Sequence, residues 1–170
     1  MGTLLGDYAA AGGAAVWLLA AALGLFAVLA VLLCAEDLRS HRLPNRLVLP
    51  AYPAATVLLG GAAAAAGEAG RTVAMLAGAA VLWLGYFLLR LISPAGLGYG
   101  DVKLAGVLGL YLGFLGWSHV LAGTMAAFLI GGLWAGLLVA FRRATLKSAI
   151  AFGPCMLLGA AVAMLLPVPG

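Results

Sequence analysis

From Ala9 to Ala35 the chain runs without a charged side chain. A helix rises about 1.5 Å per residue and needs about 20 residues to cross the hydrocarbon of a bilayer, so this run alone is long enough to span. Leu47 to Gly67 and Thr72 to Leu89 repeat the pattern, and a further run starts at Ser148. Between them, Leu104 to Phe141 is too long for one helix, and the turn-forming "GWSH" at Gly116–His119 divides it into a short fourth and a longer fifth span. Composition closes the argument: 66% of residues are hydrophobic, 8% are charged and the mean hydropathy is +1.19. A soluble domain of this size has no means of covering so much apolar surface, so lipid covers it. The expected fold is an all-α polytopic membrane protein of about six transmembrane helices, forming one membrane-embedded domain over 1–170.

The first run has no basic segment before it and is too long for the apolar part of a signal peptide, so it is expected to stay as a helix. The cations set the orientation. Arg39, Arg42 and Arg46 follow the first span, Arg90 and Lys103 lie between the third and fourth, and Arg142, Arg143 and Lys147 between the fifth and sixth. Of nine basic residues only Arg71 falls in the other set of connections. By the positive-inside rule the three basic connections are cytoplasmic and both termini lie outside. The net charge of +4 then reports topology and contact with anionic lipid headgroups, and no nucleic-acid partner is implied.

Cys34 and Cys155 are far apart in the sequence, each in apolar surroundings, and read as small buried residues; no thiolate zinc site is expected. His41 and His119 show no ligand spacing, the first reading as a loop residue and the second as part of an outer turn. Trp83, Trp117 and Trp134 read as packing or interfacial aromatics. The Ala- and Gly-rich helices permit close packing and also a homodimer.

Five acids remain: Asp7, Glu36, Asp37, Glu68 and Asp101. Asp7 and Glu68 fall on the outer face, where a solvated carboxylate is unremarked. Glu36 and Asp37 end the first span and Asp101 begins the fourth, all at the cytoplasmic boundary. Acids there are costly against lipid and face the bundle interior or a cavity instead. Asp101 also suits a plain cap at a helix N-terminus. Capping leaves unexplained why Gly98 and Gly100 flank Tyr99 on the approach to the acid, glycines that permit positive φ and close approach of another backbone, such as an extended peptide. Asp37 has its own plain reading, an end-of-helix acid paired with Arg39 or Arg42. Glu36 points about 100° away from Asp37 on a helix. Lys103 is equally a snorkelling anchor at the interface.

With these residues in view, a family resemblance becomes specific. "DLRSHRLPN", Asp37 to Asn45, resembles the first signature of prepilin peptidases, an aspartate followed at a fixed distance by Pro-Asp or Pro-Asn, here Pro44 and Asn45. "GYGD" at Gly98–Asp101, with Lys103 after it, is similar to their second signature, and "AFGPCMLLGA", Ala151 to Ala160, to the segment of their last helix that contains Gly153 and Pro154. The resemblance implies a membrane aspartyl endopeptidase with Asp37 and Asp101 as its two catalytic carboxylates. It implies a pilin-like precursor as partner, cut after a glycine ahead of its apolar helix at the cytoplasmic face of the bacterial inner membrane. It is to the short form, without a cysteine-bearing cytoplasmic domain, and implies no methyltransferase activity. The expected chemistry needs no cofactor and no metal: one carboxylate takes a proton from water and the other, protonated, donates one.

Two other classes compete. A small proton- or cation-coupled transporter would use the same boundary acids as a relay, but the outer half of the bundle offers no ionisable residue to complete a path. A scaffold protein would need neither acid.

Overall fold

The computed structural model describes residues 2–40, 43–94, 96–141 and 152–166. Every regular element among them is a helix: α1 (Gly2–Ala11), α2 (Ala14–Ser40), α3 (Asn45–Ala65), α4 (Ala69–Ile92), α5 (Tyr99–Leu115), α6 (Trp117–Ala140) and α7 (Gly153–Leu165). Four of these, α2, α3, α4 and α6, are long and apolar enough to cross a membrane. Large apolar side chains point outwards all around them, among them Trp17, Val31, Ile92 and Leu129. The chain is an all-α polytopic membrane protein.

The spans depart from the sequence expectation in three places. The run from Ala9 is not one helix, because Gly12 and Gly13 take φ of +84° and +49° and end α1 before α2 begins; residues with a Cβ rarely adopt that conformation. At the other end α2 continues to Ser40, so Glu36 and Asp37 lie inside it rather than closing it. The fourth span, α5, has 17 residues, about 25 Å at 1.5 Å per residue and short for a bilayer. It need not match the lipid, since every residue from Leu104 to Leu115 is buried: α5 is the axis around which the others pack. It ends at Gly116, whose φ is +129°, and α6 starts one residue later. Of the sixth span, the expected start at Ser148 lies outside the described residues, as do Ala151, His41, Arg42, Arg142, Arg143 and Lys147.

Small residues allow α5 its central place. A Cβ on Gly78 of α4 would stand 2.6 Å from the carbonyl oxygen of Gly109 and 2.8 Å from the Cα of Gly113, so the two helices touch backbone to backbone. Gly85, on the same helix, has open space around it. Gly78→Ala is therefore expected to lower stability by about 1–3 kcal/mol through overpacking, whereas Gly85→Ala gains helix propensity of up to about 1 kcal/mol. Thermal unfolding of the two variants in detergent, with equal effects, would contradict this packing.

At the end of the bundle where α5 finishes, Tyr8 of α1 donates to Glu68 Oε2 at 2.7 Å, and Arg71 Nε donates to the same oxygen. Arg71 also donates to the Phe114 carbonyl at 3.1 Å. The bond from Tyr8, then Arg71, holds the Glu68 carboxyl below the usual glutamate range. A lowered carboxylate contributes stability above its unfolded pKa, and this is lost as pH falls through the folded value. We expect α1 to loosen in acid. Glu68→Gln should cost roughly 0.2–1 kcal/mol at neutral pH, because the pair is partly solvated, and nothing once the wild-type carboxyl is protonated. Hydrogen exchange of the α1 amides against pH measures it, and parallel curves for the two proteins would refute it.

Candidate active site

Asp37 continues a stripe. The buried residues of α2 are Ala15, Leu19, Ala22, Phe26, Leu29, Leu33 and Asp37, spaced by three or four, so the carboxylate takes the next inward position after Leu33. It is 4% exposed. Its Oδ2 accepts the Gly153 N–H at 3.1 Å, the first N–H of α7. An acid near the C-terminal end of its own helix thus meets the positive end of another.

Asp101 is the third residue of α5, 8% exposed, and its Oδ2 accepts the Gly98 N–H at 2.9 Å. This is the side-chain half of a capping box. The two carboxylates lie within Coulombic reach of each other. Tyr86 of α4 and Cys155 of α7 are within reach of Asp101 as well.

The glycines serve differently from the sequence expectation. Gly98 has φ of −72°, an ordinary extended value, so positive φ is not its purpose. A Cβ there would sit 3.1 Å from Asp101 Oδ2, so its bareness gives the carboxylate room. A Cβ on Gly100 would meet Leu43 Cβ at 2.8 Å, so the close approach comes from this chain's own Leu43. Leu43 also lies against Gly153, where a Cβ would be 3.4 Å from its Cδ2. One side chain thereby wedges the connection between α2 and α3 against the supports of both acids.

Pro44 is the N-cap of α3, with φ −72° and ψ 132°, extended as the sequence suggests. Asn45 follows, and its Oδ1 accepts from Lys103 Nζ at 2.9 Å. Lys103 also lies over the Tyr99 ring, 5.0 Å from its centroid. The lysine is held by two partners rather than simply extended to the headgroups. Tyr52 of α3 donates to the Lys103 carbonyl at 2.6 Å, tying α3 to α5. Gly153 and Pro154 open the described part of α7. Phe152 just before them packs tilted against Phe128 and Tyr86, with centroids 5.4 and 6.4 Å away, which anchors the chain next to the Gly153 N–H.

Beside Asp37 an apolar groove of about 290 Å³ is lined by Leu38, Ile130, Leu133, Trp134, Leu137, Pro154, Cys155 and Leu158. Cys34 and Cys155 are free thiols. Among the described residues no group of three or more His, Cys, Asp or Glu side chains is arranged to hold a metal.

The structure therefore gathers Asp37, Asp101, Gly98, Gly100, Pro44, Asn45, Lys103, Gly153 and Pro154 at one end of the bundle. Sequence reasoning missed Arg90, whose guanidinium donates to the Leu97 carbonyl at 2.7 Å and lies 5.2 Å from the Tyr99 ring centroid. A lone cation at the end of an apolar span is the signal that was available. His119, read from the sequence as part of an outer turn, lies buried in the first turn of α6 with Nδ1 unpartnered.

Residues 24–136, which include both acids, match the profile of the type IV leader peptidase family. The chain is 34% identical over 132 residues to the prepilin leader peptidase/N-methyltransferase of Aeromonas salmonicida, covering 76% of this chain and 43% of that protein. It is 32% identical over 154 residues to the protein of that name from Burkholderia pseudomallei, covering 88% and 48%, and 31% identical over 147 residues to that of Dickeya chrysanthemi, covering 82% and 48%. The chain spans about half the length of the curated relatives it matches. No solved structure matches it.

Proposed function

Since the chain belongs to the type IV leader peptidase family, we propose that it is an aspartyl endopeptidase that removes the leader from pilin-like precursors. What carries the reading is the pairing of Asp37 and Asp101, buried at one end of the bundle with a backbone N–H on each. Two carboxylates that share a site hold one proton between them near working pH. The ionised member takes a proton from a water as its oxygen attacks the peptide carbonyl; the protonated member donates to the carbonyl oxygen, and a proton then passes to the leaving amine. The dyad titrates as a pair, so neither proton is assigned to one aspartate.

The substrate is a precursor whose apolar helix lies in the bilayer, with the scissile bond after a glycine just ahead of that helix. The groove supports this, because it is apolar and is lined by Cys155, which lies within reach of both carboxylates, and by Pro154, next to the Gly153 whose N–H holds Asp37. The site faces the cytoplasm and both termini lie outside, in keeping with Arg39, Arg46, Arg90 and Lys103 at the site's end of the bundle and Arg71 at the other. The membrane is the bacterial inner membrane. The residues of 1–170 act as one peptidase domain, and the assignment is to peptide cleavage rather than to N-methyl transfer. A homodimer through Gly- and Ala-rich faces fits the same reading. The transporter alternative gains no support from the relatives.

The deciding test is reconstitution of the protein in liposomes with a pilin-like precursor, reading leader release by mass. Release of the leader supports the assignment. An intact precursor, with the protease folded and inserted, sinks it.

A further inference from the structure

The Leu97–Gly98 peptide unit is gripped at both of its polar ends. Its carbonyl accepts from Arg90 Nη1 at 2.7 Å, and its N–H donates to Asp101 Oδ2 at 2.9 Å. A peptide is planar and its C=O and N–H point in opposite directions. A donor fixed on one side and an acceptor on the other therefore stop the unit from rotating about its flanking bonds. We propose that Arg90 is a positioning residue for Asp101, aiming the Gly98 N–H at the carboxylate through the Leu97–Gly98 peptide. The inference rests on the peptidase reading of Asp101.

Two observations and one principle carry it. The Arg90 bond is charge-assisted and short, the stronger kind of hydrogen bond. Drawing electron density to the carbonyl makes the N–H of the same amide a better donor, so the two bonds reinforce each other. Arg90 also covers the Tyr99 ring, so it grips the chain on either side of Gly98, at Leu97 and at Tyr99. Without it Gly98 is an exposed glycine in a connection whose free backbone would wander.

The charge of the guanidinium has a separate effect, since it lies within Coulombic reach of Asp101. Among the described residues, the other titratable groups facing Asp101 are Asp37 of α2, Tyr86 of α4 and Cys155 of α7. Lys103, on α5 itself, is engaged by Asn45 and the Tyr99 ring. Losing Arg90 removes a positive charge and weakens a donor to the carboxylate, and both changes favour its protonated form. The dyad should then titrate at higher pH.

Arg90→Met and Arg90→Lys, in the full chain in liposomes, separate these effects. Arg90→Met should lower kcat roughly tenfold or more, with little change in KM, because a misaimed catalytic group loses rate rather than binding. Its pH–rate profile should move up, because a positive charge within reach of Asp101 is lost and the Gly98 N–H is a weaker donor. Arg90→Lys keeps the charge but not the planar fork, so its profile should stay near wild type while kcat recovers only in part. A fall in kcat with an unmoved profile in Arg90→Met would leave Arg90 a merely structural residue and overturn the proposal. If Arg90→Met fails to fold, Arg90→Lys decides: partial loss of kcat at unchanged KM supports the proposal, and full wild-type kcat overturns it. An infrared titration of the Asp101 carboxyl, isolated by subtracting Asp101→Asn, needs no turnover. Should the wild type cleave nothing, an upward shift in Arg90→Met of which a smaller part persists in Arg90→Lys, where the charge is kept, supports the positioning role; an unmoved band, or a shift that Arg90→Lys abolishes entirely, refutes it, while the peptidase reading falls separately.

Discussion

Asp37→Asn and Asp101→Asn are each expected to reduce leader release by about 10³-fold or more, since general acid–base transfer contributes 10²–10⁴-fold and the two acids act as one unit. Asparagine keeps the size of the side chain and an oxygen that can accept the N–H of Gly153 or of Gly98. Burying an amide costs less than burying a carboxylate, so neither variant should unfold at a lower temperature than the wild type. Loss of activity with unchanged unfolding then isolates the chemistry. Glu36→Gln is the internal comparison: Glu36 is the half-buried neighbour of Asp37, off the inward stripe, and its loss should leave the rate within about twofold, as for most substitutions away from a site. Wild-type turnover by either aspartate variant would remove the dyad from the mechanism.

The pattern of helices was legible because the physics that fixes it is one-dimensional. Charge-free length decides what can span, and basic residues mark alternate connections, so α3, α4 and α6 fall close to the expected runs. Asp37 was legible from its place: an acid at the membrane boundary faces the bundle interior rather than lipid, and in the structure it takes the inward position after Leu33, Leu29 and Phe26. What escaped the sequence was decided by neighbours distant in the chain. Gly12 and Gly13 look like any small pair in an apolar run until their φ values are known. Gly100 is bare for the sake of Leu43, and Gly98 for the carboxylate, contacts that no local spacing announces. Arg90 reads as a topology marker because the carbonyl it holds belongs to a connection without regular structure. His119 misleads in the opposite direction: "GWSH" reads as a turn, but α6 begins at Trp117 and His119 and Val120 of its first turn are buried.

The second large effect concerns a residue with no chemistry of its own. Gly153→Ala should lower kcat by about 10²-fold, the scale on which a displacement near 1 Å of a reacting group costs rate, while KM changes far less. A Cβ on Gly153 would stand 2.7 Å from Asp37 Oδ2 and 3.4 Å from both Asp37 Cγ and Leu43 Cδ2. The carboxylate therefore has to move, and its bond from the Gly153 N–H is strained or lost. The neighbours leave little room to yield, because Leu43 is wedged against Gly100 and Phe152 is held by Phe128 and Tyr86. The backbone itself is not the obstacle, since alanine is a good residue in a first helical turn. Stability should fall by about 1–3 kcal/mol, as for other overpacked sites, too little to account for the rate. Shortening the wedge supplies the control. In Gly153→Ala with Leu43→Ala the carboxylate regains space, so part of the lost rate should return even though the protein is less stable. Steady-state kinetics on both variants, beside their thermal unfolding, distinguish displacement of Asp37 from general damage. If Gly153→Ala turns over like the wild type, Asp37 does not work from the place where the Gly153 N–H holds it.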